Sequence, residues 1–79
     1  MKYTLILQWS EEDNCFVVLL PEFEDVMQPV TYGNTYEEAI DNAKEALELL
    51  IESYHQEEKE LPEPITLGKT IPARLVSSF

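Results

Sequence analysis

The chain has 79 residues, 44% of them hydrophobic, with a formal net charge of -11 from 16 acidic and 5 basic residues. That length holds one domain, and the acidic balance disfavours direct nucleic-acid binding, which needs clustered Lys and Arg for phosphate contacts. A basic protein partner is the complementary expectation, and the single cysteine, Cys15, rules out an intramolecular disulfide.

Tyr3, Leu5, Leu7 and Trp9 alternate with Thr4, Ile6 and Gln8. This two-residue period predicts a strand with one apolar face. Ser10 to Asn14 is polar and turn-forming, a five-residue hairpin loop. Cys15 to Leu20 is β-branched and apolar on both faces, which predicts a central strand. Pro21 ends it. Glu22 to Met27 reads as an acidic loop around Phe23, and Val30-Thr31-Tyr32 as a short third strand. Pro29 lacks a backbone donor, so that strand is expected to lie at an edge or to begin just after the proline.

Gly33 through Tyr54 has the clearest helical period. Ile40, Ala43, Leu47, Leu50, Ile51 and Tyr54 recur at three- and four-residue steps as one apolar stripe. Thr35 and Glu38 have capping-box spacing, in which Glu38 reaches back to the N–H of Thr35. Gly33-Asn34 permits the turn from strand to helix. The opposite helix face carries Glu37, Asp41, Glu45, Glu48 and Glu52, with Lys44 as the nearby cation. Like charges at that spacing repel, so the face reads either as a solvated surface or as an electrostatic surface for a basic partner.

Gln56 to Glu60 reads as a frayed helix end or loop, and Leu61-Pro62-Glu63-Pro64 as extended chain. Ile71 to Val76 is a candidate fourth strand, edge-like because of Pro72. The order β-β-β-α-β predicts an α+β fold, a three- to four-stranded antiparallel sheet with one long helix packed on it. The natural core partners are the helix stripe and the Tyr3/Leu5/Leu7/Trp9 face. A chain this short buries only about 60% of its extended surface, so self-association to a dimer or tetramer is expected.

Chemistry-bearing patterns are sparse. One His and one Cys do not make a zinc site. Cys15 lies among apolar residues, a poor setting for a thiolate nucleophile, and His55 suits the helix C-terminus. Glu22, Glu24 and Asp25 share one loop and are weighed as a divalent-cation nuclease site, against the plainer reading of a solvated loop. With glycines only at positions 33 and 68 there is no phosphate-cradling loop. The expectation is a non-enzyme with no cofactor and no small-molecule substrate. The N-terminus lacks a signal-peptide core and no run reaches membrane-spanning length, so a cytoplasmic protein is expected.

Pro21-Glu22 at a strand end, Gly-Asn-Thr-x-x-Glu-Ala (Gly33 to Ala39), Asn-Ala-Lys-Glu-Ala-Leu (Asn42 to Leu47) and Pro-x-Pro (Pro62, Pro64) together resemble the HicB antitoxin family. The match covers residues 3–64, with residues 1–64 as a family core and 65–79 as a strand or tail of the same domain. Asn34 stands where the family has Asp, and the family's Gly-Cys loop is replaced near Asp25-Val26. The resemblance implies a shortened ribonuclease H-like core serving as scaffold. It also implies a role in binding and neutralising HicA, a small basic RNA-cleaving toxin. Many family members add a C-terminal DNA-binding segment; here Ile65 to Phe79 are too few for one.

Pro21, Gly33, Thr35, Glu38 and Ala39 read first as structural: strand end, turn, cap and helix packing. Glu22, Glu24, Asp25, Glu45, Glu48 and Glu52 are the candidate partner contacts, chosen by charge and expected exposure. The alternative to the antitoxin reading is an orphan structural or regulatory homo-oligomer.

Overall fold

The computed structural model describes residues 2–68. Its first strand, β1, spans Ile6–Ser10 and pairs antiparallel with β2, Cys15–Leu19. The register sets Leu7 opposite Val18, Trp9 opposite Phe16 and Ser10 opposite Cys15. Because Ser10 stays in the ladder, the hairpin loop is Glu11 to Asn14, one residue shorter than its polar composition suggests. Asn14 closes it with φ 55°, a left-handed backbone that Asn tolerates, and its N–H donates to the Ser10 carbonyl at 2.8 Å.

The third strand, β3, spans Thr31–Gly33 and pairs antiparallel with β2, Gly33 opposite Phe16. The order is β1-β2-β3, so the strand apolar on both faces is central and the strand after Pro29 is at an edge, as the composition predicts. Strand alternation puts Leu7, Trp9, Phe16, Val18, Thr31 and Gly33 on one face and Ile6, Gln8, Val17, Leu19 and Tyr32 on the other. Helix α1, Tyr36–Gln56, lies on the first face. One helix on a three-stranded antiparallel sheet makes the α+β class.

Two clusters form the core. In the first, Val18, Ala39 and Ala43 are fully buried and Leu5, Leu7, Phe16 and Val30 pack around them. The approach of α1 to β3 is so close that a side chain at Gly33 would strike the backbone N and Cα of Ala39. In the second, Leu20, Phe23 and Tyr54 are buried, flanked by Tyr3, Leu5, Val26, Val30, Leu47, Leu50 and Leu61. The Phe23 ring lies 4.9 Å from Tyr3 and 5.7 Å from Tyr54, edge-on to the latter.

Several expectations are corrected. Tyr3 to Leu5 precede β1 rather than belonging to it. Their polar groups go elsewhere: the Tyr3 hydroxyl donates to the Pro62 carbonyl at 2.7 Å, and Thr4 is held by Glu22. Trp9 is 47% exposed at the far end of its face, braced edge-on against Phe16 instead of buried under the helix. On α1 the deepest positions are Ala39 and Ala43, and Ile40 sits at the margin, 37% exposed; close approach selects small side chains.

Gln56 to Glu60 is an ordered stop. Glu58 takes φ 55°, its N–H donates to His55 O at 3.2 Å, and the Lys59 N–H donates to Tyr54 O at 2.9 Å. These two bonds satisfy carbonyls that the helix end would otherwise leave open. Lys59 Nζ also lies 4.9 Å above the Tyr54 ring. The expected fourth strand, Ile71 to Val76, lies outside the described residues.

Candidate functional site

Carboxylates are the main chemistry this chain carries, and the fold sorts them into two kinds. Glu22 follows Pro21 just past the end of β2 and is buried, with 7% exposure. Its carboxylate accepts from the Thr4 N–H at 3.1 and 3.2 Å, the Thr4 hydroxyl at 3.0 Å and the Ile65 N–H at 3.0 Å. Desolvation pushes its pKa up, but the Ile65 and Thr4 donors and its own N–H favour the anion more, and the net result lies below the ordinary carboxylate value. Glu22 therefore joins three segments: the lead-in to β1, the loop after β2 and the chain beyond α1. Its burial separates it from the exposed set in which charge alone placed it.

Glu24 and Asp25 are exposed on the same loop; Glu45, Glu48 and Glu52 are exposed on α1. Glu22 thus faces inward while its loop neighbours face solvent. Among the described residues, no three His, Cys, Asp or Glu side chains gather as a cation site. Cys15 is half-buried in β2, and His55 is exposed in the last turn of α1.

The helix entry is a variant of the expected cap. Thr35 is extended (φ -129°, ψ 166°) and its hydroxyl accepts from Glu38 N–H at 3.1 Å. Glu38 reaches back one residue further than a capping box does, taking the Asn34 N–H at 3.1 Å. Gly33 and Ala39 meet at the close approach already described, so these motif residues do structural work in the fold.

Two features were not singled out in the sequence. Gln28 substitutes for a missing strand neighbour: its Oε1 accepts from Leu20 N–H at 2.9 Å, and its Nε2 donates to Leu20 O at 3.1 Å and Phe23 O at 3.2 Å. Nothing in a lone glutamine signals this. The second is an open groove between the loop and α1. Val26, Met27, Pro29 and Val30 form one wall, and Ala46, Leu49 and Leu50 the other. The groove continues past Thr31 to Asn42 and Glu45. Met27 is 88% exposed and Leu49 62%. The available signal was Leu49 itself, an apolar residue off the predicted stripe. A second hollow lies on the other side of α1, lined by Tyr3, Leu5, Lys44, Leu47, Glu48 and Ile51. No helix among the described residues is long and apolar enough to cross a membrane.

These features define a small α+β domain with a braced loop and an acidic outer helix face. The chain is 33% identical over 69 residues to Antitoxin HicB 1 of Photorhabdus laumondii subsp. laumondii, a match that takes in 87% of this chain and 42% of that protein. Over that match the chain is similar to a HicB antitoxin, and it spans less than half the length of this relative. No family model and no solved structure matches it.

Proposed function

We propose that this chain is the toxin-capturing part of a HicB-type antitoxin. It binds a small basic RNA-cleaving toxin of the HicA kind in the cytoplasm and performs no chemistry, its ribonuclease H-like core serving as scaffold. The observation that carries this reading is the similarity to Antitoxin HicB 1. The -11 charge supports it, as does the exposure of Glu24, Asp25, Glu45, Glu48 and Glu52: a cationic toxin is attracted and oriented by such a surface.

The test is co-expression with a HicA-type toxin from the same genome, followed by co-purification and an RNA-cleavage assay. Cleavage that stops on adding this chain supports the reading; cleavage unaffected by excess chain ends it. A second reading, an orphan homo-oligomer, is favoured by the outer sheet face. Ile6, Val17 and Leu19 are half-buried there and Tyr32 is 51% exposed, with no described element covering them. A stable dimer or tetramer by light scattering, together with no toxin capture, would favour it.

A further inference from the structure

We propose that the groove between α1 and the Val26 to Thr31 segment seats an apolar side chain that the basic partner presents between Lys or Arg residues. This rests on the reading of a cationic protein partner. The floor and walls are apolar, and two of the lining side chains, Met27 and Leu49, stand 88% and 62% exposed on a chain otherwise rich in surface charge. Contiguous exposed apolar surface rimmed by polar groups marks interaction sites, and a well-packed pocket is where a single anchoring residue contributes most.

The rim has one sign. Glu45 lines the groove, and Glu52 lies two turns further along the same flank of α1, the two placed four residues before and three after Leu49. Glu24 and Asp25 are exposed just before Val26 on the other wall. No described Lys lines the groove: Lys44 lines the hollow on the far side of α1 and Lys59 lies over Tyr54.

Both walls are braced before any partner arrives. Asn42 Nδ2 donates to the Tyr32 carbonyl at 2.7 Å, tying α1 to β3. Gln28 fixes the loop wall through its three bonds to Leu20 and Phe23. A pre-formed seat lowers the ordering cost of binding.

The test compares variants at exposed positions in complex with a catalytically inactive HicA-type toxin. Met27→Ala/Leu49→Ala is expected to weaken binding by about ten-fold or more through faster dissociation. Glu45→Gln/Glu52→Gln is expected to slow association and flatten its salt dependence. Tyr32→Ala, on the outer sheet face, is expected to leave affinity unchanged. Unaltered affinity in the Met27/Leu49 variant overturns the inference.

If the wild-type chain captures no toxin, the antitoxin reading fails and a second arm decides the groove. That arm is an amide-shift titration with a short synthetic peptide of alternating Leu and Lys, with a Leu/Glu peptide as charge control. Shifts for the Lys peptide alone, centred on Met27, Val30, Ala46 and Leu49, sustain the groove. Shifts elsewhere, none at all, or concentration-dependent broadening of those residues without peptide (a second copy as occupant) overturn it.

Discussion

The two halves of α1 meet the rest of the molecule in different ways. The N-terminal half lies directly on strands: Ala39 and Ala43 contact a cluster containing Val18, Leu7 and Phe16, and Gly33 of β3 has no room for a side chain. The C-terminal half touches no strand residue in its cluster. Tyr54, Leu47 and Leu50 pack instead on Tyr3, Leu5, Leu20, Phe23, Val26, Val30 and Leu61, all in lead-ins, loops and the chain beyond the helix. One continuous apolar stripe is thus buried by two devices, small residues at close approach and loop aromatics where the sheet has ended. The second device needs polar braces, because an irregular segment has no ladder to satisfy its backbone. Glu22 and Gln28 supply them.

Breaking the loop-built half is expected to cost most. Phe23→Ala removes a fully buried ring held between Tyr3 and Tyr54, and should lower unfolding free energy by ~3–5 kcal/mol in urea melts. On the strand-built half, Gly33→Ala should cost ~1–3 kcal/mol by overpacking. The double variant Gly33→Ala/Ala39→Gly sharpens the point. The nearest obstructing atoms are the Ala39 backbone N and Cα, with its methyl behind them, so removing the Ala39 methyl should restore only a small part of the lost stability.

The braces come next. Glu22→Gln weakens charge-assisted bonds to Thr4 and Ile65 and should cost ~1.5–3 kcal/mol at neutral pH. Because the folded pKa of Glu22 is depressed, its stabilisation is present above the unfolded carboxyl value and is lost as pH falls through the lower folded value. The stability gap between wild type and Glu22→Gln should therefore shrink on acidification below the ordinary carboxylate range; a gap constant with pH would show that the carboxylate charge is not what holds the three segments. Smallest is the helix entry: Thr35→Ala removes the acceptor for Glu38 N–H and should cost ~1 kcal/mol, seen as a lowered melting temperature.

Much of the strand-built half was legible in sequence. Cys15 to Leu20 announced a central strand, Pro29 an edge, and the Thr35/Glu38 spacing the start of α1, because period and capping chemistry act over a few residues. The loop-built half was not. Glu22 read as one more acid in an acidic loop, and the donors that hold its carboxylate, on Thr4 and Ile65, are 18 and 43 residues away. Tyr3 looked like the start of a strand because it shares the alternation of Leu5 and Leu7, whereas its hydroxyl is committed to Pro62, 59 residues on. All six candidate contacts rest on charge and expected exposure, which holds for five of them and not for Glu22, and charge patterning carries no record of which apolar residues stand beside them.

From its residues alone, this chain determined an acidic α+β fold, the order of its first four elements and the family it resembles. Those follow from hydrophobic period, turn and cap residues, and net charge, all of which are local or additive. Tertiary structure decided which acid is a buried brace and which are surface. It also decided where Gly33 meets Ala39, and that Met27 and Leu49, 22 positions apart in the chain, face each other across one groove. These depend on contacts between distant segments, whose geometry exists only once the helix has settled on the sheet.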